Sequence, residues 1–479
     1  MTVLDRRRAG VLLHPTSLPG PGPTGRLGGE AQRFLDWLTT AGFRLWQVLP
    51  LTPPHDDGSP YQALSSFAGD TRLLDPQGAV AAGWLTPDEA AHPDWTARAH
   101  AGFRRAGGEA HPDYLAFCRD QAHWLDDFAR FLVLHRRFRR AWSDWPEPYR
   151  DRHPEALAEL DESEAEAQDR IRFEQYLFER QWLALRHEAN RRDVRLFGDL
   201  PIFVAHDSAD VWAHRELFLL DAAGRPTVVA GVPPDYFSAT GQRWGNPLYD
   251  WAALVERGYR WWLDRLRRQL VLFDLVRIDH FRGFQAYWEI PADAPTAASG
   301  HWVPGPGAAF FEALQAHFGR ELPLVAEDLG VITPEVEALR DRFGLPGMKI
   351  LQFAFDSDAA NPYLPHNHRE NAVVYTGTHD NDTTCGWWGH LEESQRQRVR
   401  DYLGQPGEAM PWPLVRAALA SVCRLAVLPM QDLLGLGSEA RMNTPGTTGG
   451  NWRWRLDWGQ VPPDLTGRLA HLNALYGRS

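Results

Sequence analysis

Lysine is almost missing from this 479-residue chain: Lys349 is the only one, and it lies in an apolar run, GMKILQFAF, that reads as a buried strand. No Gly-Lys pair occurs, so a phosphate-binding loop of the Walker A kind is excluded, and Schiff-base chemistry would rest on Lys349 alone. Cysteine is scarce as well. Cys118, Cys385 and Cys423 are odd in number, far apart and without CxxC or zinc-ligand spacing, which argues against a disulfide framework. No apolar run reaches membrane-spanning length, and the start, MTVLDRRRAGVLLHP, lacks the long apolar core of a signal peptide. A cytoplasmic protein is expected. Positive charge is in deficit, with a formal net charge of −12. That balance argues against nucleic acid or an anionic membrane as main partner and is indifferent to a neutral substrate.

What is present points to a large α/β core. Apolar residues make up 44% of the chain, and α/β barrels with insertions reach this length as one unit. Apolar runs at 10–13, 43–51, 194–204, 272–279, 322–328, 348–355, 372–380 and 425–435 predict strands. Amphipathic stretches predict helices at 30–41, 261–270, 308–318, 333–343, 392–403 and 413–421. Thr333 is expected as the N-cap of one of these, with Pro334 at its first position. Two stretches break the rhythm. Residues 84–189 are charged but keep Phe173, Leu177, Trp182 and Leu185 at helical spacing, so a helical insertion is expected. Residues 205–250, rich in Gly, Pro and aromatics, read as a loop insertion. Eight strands separated by helices imply a parallel sheet closed into a (β/α)8 TIM barrel spanning 1–479.

Catalytic groups in such barrels sit at the C-terminal ends of strands. Three runs finish there in acids: Arg277-Ile-Asp279-His280, Val-Ala-Glu327-Asp328, and Thr378-His379-Asp380. One acid after one strand is as readily a helix cap. Three together are harder to dismiss, because convergent carboxylates raise one another's pKa and a fold rarely gathers them without a use. Glycoside cleavage is such a use. One carboxylate attacks the anomeric carbon and another protonates the leaving oxygen, the pair standing roughly 5–5.5 Å apart in retaining enzymes. Arg277 would favour an ionised nucleophile, while burial and negative neighbours would keep the acid protonated. A third carboxylate and His379 would hold sugar hydroxyls. The 21 tryptophans suit this chemistry, since an indole face stacks on a sugar ring, although most are expected to be packing residues.

These pieces resemble the α-amylase clan, with an Arg-x-Asp strand end, a Glu on the next strand and a His-Asp pair two strands later. More closely, the chain resembles the amylomaltases (disproportionating enzymes), which are 4-α-glucanotransferases. The matching segments are HPTSLPG (14–20), SPYQ (59–62), GDLPIFV (198–204), GVPPDYFSATGQRWGNPLY (231–249), RIDHFRGF (277–284), VAEDLG (325–330), THDND (378–382), PMQDLLGLGSEARMNTPG (429–446) and NWRWR (451–455). They run through almost the whole chain. The resemblance implies Asp279 as nucleophile, Glu327 as general acid/base and Asp380 as transition-state stabiliser. Arg277 and His379 would hold the nucleophile and the sugar at the cleavage site, and His280 would bind substrate. Tyr61 and Asp199 would line the donor side, Tyr61 by stacking. Asp235, Tyr236, Phe237, Gln242 and Trp244 would cover the groove, hold the acceptor and help exclude water, and Asn451 would reach in from the C-terminal segment. The substrates would be α-1,4-glucans and maltooligosaccharides, with no metal or cofactor. One departure is the loop PLTPPHDDG, which has His55, Asp56 and Asp57 where some relatives carry a tyrosine that stacks on glucan at a second site. Acids cannot stack, so that site is not expected. Nor is the C-terminal β-sandwich common in α-amylases.

Other classes fit less well. Gly435-Leu-Gly437-Ser-Glu-Ala440 matches a loose dinucleotide fingerprint, but no strand–helix–strand unit follows it. His206, Asp210 and His214 fit no zinc spacing. A protein that only binds glucan has no need of three strand-end carboxylates. A retaining hydrolase of the α-amylase type is the alternative within the same chemistry. Hydrolysis and transfer share a covalent intermediate and differ in whether water or a glucan 4-hydroxyl attacks it. A held acceptor and a dry site favour transfer, and the aromatic segment 231–249 is expected to supply both.

Overall fold

The computed structural model describes residues 3–234 and 238–479. At its centre is a parallel sheet whose strands are, in chain order, β1 (Arg8–Leu12), β2 (Leu45–Gln47), β3 (Arg195–Leu200), β4 (Leu275–Ile278), β5 (Leu324–Ala326), β6 (Gly347–Ile350), β7 (Ala372–Tyr375) and β8 (Leu425–Pro429). Neighbours run β6-β7-β8-β1-β2-β3-β4-β5. The two end strands close on each other through the Ala326 N–H and the Pro346 carbonyl, 2.8 Å apart. Asp328 reinforces that closure. It accepts the Met348 N–H at 2.7 Å and pairs with Arg340. The fold is a (β/α)8 barrel.

Its strands read as continuous apolar runs because both faces are buried. Leu45, Phe197, Leu275, Val325, Met348, Val373 and Leu425 pack inside the barrel, while their neighbours, such as Val374 and Ala426, meet the surrounding helices. The strands are shorter than the runs. Those at 348–355 and 425–435 end at Ile350 and Pro429 and pass into the turn Leu351–Phe353 and the helix Met430–Leu433. Leu351, Met430 and Leu433 are still buried, so packing keeps the sequence apolar after the backbone has left the sheet.

Helices Gly29–Thr40, Arg260–Leu272, Gly307–Phe318, Pro334–Arg342, Glu393–Tyr402 and Trp412–Ala420 lie where the periodicity places them. Thr333 precedes Pro334 as expected but makes no side-chain cap bond. Among the described residues the β6–β7 connection has only two 3-10 turns and no α-helix.

Seven α-helices separate β2 from β3, the longest being Pro112–Phe138 and Ala165–Arg191. Phe173, Leu177, Trp182 and Leu185 are all buried, and the Trp182 N–H donates to the Leu272 carbonyl at 2.8 Å, tying these helices to the barrel. The 205–250 stretch is more regular than a loop. Its strands Val228–Val232 and Gln242–Pro247 pair antiparallel, and Val228–Val232 also pairs with Ala286–Pro291, which pairs with His301–Pro304. The Asn246 side chain pins the edge strand Gln242–Pro247 to the barrel by donating to the Val204 carbonyl at 2.9 Å.

Candidate active site

Residues 277 and 279 sit two apart, so β4 turns both side chains to the same side. Asp199 is the register partner of Arg277 on β3. Arg277 Nη1 lies 2.8 Å from both carboxylate oxygens of Asp199, and Nη2 lies 2.8 Å from Asp279 Oδ1. Burial opposes the guanidinium charge, but Asp199 and Asp279 outweigh it and hold the Arg277 pKa well above its usual value. The Tyr61 hydroxyl donates to Asp199 Oδ2 at 2.7 Å. Asp199 and Asp279 thus have fixed orientations.

After Asp279 the chain turns sharply, with His280 in the left-handed region at φ 50°. Such a conformation is uncommon outside glycine and clusters at functional sites. The turn aims the His280 N–H at Glu327 Oε2, 2.7 Å away. The Leu329 N–H donates to Glu327 Oε1 at 2.8 Å. Burial pushes the Glu327 carboxyl up, Arg277 pulls it back and Asp279 pushes it up again, leaving a pKa of about 7. The His280 ring is buried, which lowers its pKa to about 4 and keeps it neutral at pH 7. Its Nε2 has no partner among the described residues. The Trp244 ring meets it edge-on at 4.9 Å and 85°, and the Trp244 N–H donates to Gln242 Oε1 at 3.1 Å.

On the β7 side, Asn443 Nδ2 donates to Asp380 Oδ1 at 2.6 Å, and Arg441 donates to the Asp380 carbonyl at 2.6 Å. His379 Nε2 is 3.3 Å from the same Oδ1. The buried His379 ring stacks on Tyr61 at 5.2 Å and 13°, and Trp452 tilts against both rings at 6.0 Å. A cleft of about 540 Å³ opens beside this wall, lined in part by His14, Pro54, Arg72, Trp452 and Arg453.

The structure therefore brings together Tyr61, Asp199, Arg277, Asp279, His280, Glu327, His379 and Asp380, with Gln242 and Trp244 reaching them from the antiparallel sheet. It does not bring in Asn451. That side chain accepts the Thr444 N–H at 3.0 Å and donates to Thr447 at 3.1 Å, closing its own turn. Asn443 and Trp452, at the two ends of that turn, meet the site instead. Asp235, Tyr236 and Phe237 lie outside the described residues. Sequence reasoning gave no role to His14, Arg441, Asn443 or Trp452. All fall in or beside the segments of resemblance, but no local pattern marks them. His55 packs toward His135 on the helical insertion, 6.5 Å between ring centres, and Asp56 and Asp57 are exposed.

The rival groupings do not assemble. His206 Nε2 sits 2.7 Å from the Gly224 carbonyl, and the Asp210 carboxylate accepts the Ser66 N–H at 2.7 Å. Gly435 and Gly437 lead into a 3-10 turn, Ser438–Ala440. Among the described residues one group has metal-like spacing, Glu147, Asp151 and His153, and Asp151 is already held by Arg150 and Arg215. No helix among them is long and apolar enough to cross a membrane.

Comparison with known proteins agrees with this geometry. A family model described as 4-alpha-glucanotransferase matches residues 13–460. The 4-alpha-glucanotransferase of Thermus thermophilus is 52% identical over 97% of this chain and 97% of its own length. That of Synechocystis sp. is 47% identical over 99% of both chains. Among solved structures, an amylomaltase from Streptococcus agalactiae in complex with acarbose superimposes with a TM-score of 0.94 at 35% identity, covering 99% of this chain and 100% of that one. The amylomaltase from Corynebacterium glutamicum matches with a TM-score of 0.75 at 19% identity, over 99% of this chain and 76% of that one, and shares the fold. With a barrel of this topology and relatives this similar over its full length, the chain belongs to the 4-α-glucanotransferase (amylomaltase) family.

Proposed function

We propose that the protein moves segments of α-1,4-glucan by double displacement, with Asp279 as nucleophile and Glu327 as general acid and then general base. The observation that carries this reading is the contrast between two neighbouring carboxyls. Asp279 is paired with Arg277 at 2.8 Å, whereas Glu327 is buried with a pKa of about 7. One is suited to attack and the other to deliver a proton near neutrality. Glu327 protonates the glycosidic oxygen as Asp279 attacks the anomeric carbon, which releases the leaving chain and forms a glucosyl ester. The 4-hydroxyl of an acceptor glucan then gives its proton to Glu327 and displaces Asp279.

Asp380, set by Asn443, takes sugar hydroxyls whose bonds tighten as the ring flattens. His379, Tyr61, Asp199 and Arg277 hold the donor ring. Gln242, Trp244 and His280 stand on the acceptor side. Asn451 shapes the turn that presents Asn443 and Trp452. A held acceptor under an aromatic cover favours transfer over hydrolysis. Acarbose bound to the Streptococcus agalactiae amylomaltase supports a glucan-shaped groove. The barrel and its insertions at 84–189 and 205–250 work as one catalytic unit in the cytoplasm. The three free cysteines suit a reducing compartment.

Incubation with maltotriose alone tests this. Glucose together with a ladder of longer maltooligosaccharides is expected, and Asp279→Asn abolishes both. Glucose and maltose without longer chains would make the enzyme a hydrolase.

A further inference from the structure

Seven large hydrophobic side chains are exposed among the described residues, and Trp302 is the only aromatic one. It lies on the edge strand His301–Pro304, register partner to Trp288. The Arg282 guanidinium covers its ring at 3.7 Å from the centroid, and Trp288 meets it edge-on at 5.1 Å. The ring is thus clamped, yet 37% exposed. Trp288 donates its N–H to the Ala297 carbonyl at 2.9 Å, whereas the Trp302 N–H has no protein partner among the described residues.

The clamp is built from the catalytic loops. Arg282 follows Asp279 by three residues, is buried, and donates to the carbonyl of Val331, which follows Glu327 by four. Val331 is itself one of the seven exposed side chains. The opposite edge of the same sheet, Gln242–Pro247, carries Trp244 against His280. Three strand spacings, roughly 14 Å, separate the two edges.

We propose that Trp302, backed by Arg282, is an outlying glucan-binding subsite. It stacks a sugar ring of a long chain whose reacting end lies between Asp279 and Glu327. The proposal rests on the glucan reading of that centre. A partly exposed indole, 37% accessible and with a free N–H, suits a sugar ring, which offers C–H on one side and hydroxyls at its edge.

The test compares chain lengths. In an Asp279→Asn background, which binds without turnover, maltotriose and maltoheptaose are titrated by calorimetry. Trp302→Ala is expected to weaken maltoheptaose about three- to tenfold, leaving maltotriose within about twofold, and Trp302→Phe to recover most of the loss. Equal effects on both sugars, or none on maltoheptaose, overturn the proposal. If the Asp279→Asn protein binds neither sugar, the glucan reading of the centre has failed and the subsite falls with it. Hydroxyl-radical footprinting of the Asp279→Asn protein with Trp302 intact, which does not lengthen maltotriose, is independent of whether a Trp302 variant folds. Protection of Trp302 by maltoheptaose but not by maltotriose supports the subsite, and equal oxidation in both sugars overturns it.

Discussion

At the scale of single residues, the proposed chemistry rests on how Glu327 and Asp380 are held. With its pKa at about 7, Glu327 carries its proton below that pH and loses it above. The first chemical step needs the protonated form, so kcat/KM for maltotriose is expected to fall as pH rises through about 7. A profile flat to about pH 9 would remove Glu327 from the role of acid. Asp380 depends on Asn443, whose Nδ2 stands 2.6 Å from its Oδ1. Asn443→Ala leaves the carboxylate in place but frees its rotation. Because small misplacements of a reacting group slow turnover on the order of 10- to 100-fold, kcat is expected to drop by that much. KM should change far less, and Asn443→Asp, which brings a second negative charge to the same oxygen, is not expected to rescue. A fall confined to KM would mean that Asn443 only binds substrate. The strand-end acids themselves were legible, since an apolar run that stops at Asp or Glu is visible in one line of text. Asn443 was not, because its partner lies 63 residues away and nothing nearby in the sequence points to it.

At the scale of elements, the closure of the barrel between β5 and β6 bears directly on the site. Asp328 follows Glu327 immediately, accepts the Met348 N–H at 2.7 Å and pairs with the buried Arg340. Asp328→Ala leaves both groups without their acceptor, and breaking a buried pair costs about 3–5 kcal/mol. A lower denaturant midpoint is expected, together with reduced turnover, because the Glu327 loop loses its anchor. Asp328→Asn, which keeps an acceptor for Met348, should lie between. Unchanged midpoints for both would mean that backbone pairing alone closes the barrel. All eight barrel strands were legible, because burial on both faces makes them apolar throughout. The antiparallel sheet was not. Its edge strand next to the barrel, QRWGNP, is polar and broken by glycine and proline, and the sheet's other two strands come from 286–304, beyond β4. Periodicity cannot announce a strand so polar and so poor in apolar alternation.

At the scale of the whole molecule, distant segments converge on one mouth: Tyr61 bonds Asp199 across 138 residues, and Arg277 joins Asp199 to Asp279. This convergence also settles the local electrostatics. The chain is strongly acidic, with a net charge of −12, yet the buried cation at the centre is balanced by two carboxylates within 2.8 Å. A long-range field accelerates encounter only with a charged partner, and salt of about 0.15 M screens it within roughly 8 Å. A neutral glucan feels none of it. Between about 0.01 and 0.5 M salt, kcat/KM for maltotriose is therefore expected to change by less than about twofold. An anionic substrate approaching the same acidic surface would bind better as salt rose, and a cationic one worse. A steep slope in either direction, measured beside a flat one for maltotriose, would identify a charged compound as the better substrate and move the reading of the groove away from neutral glucan.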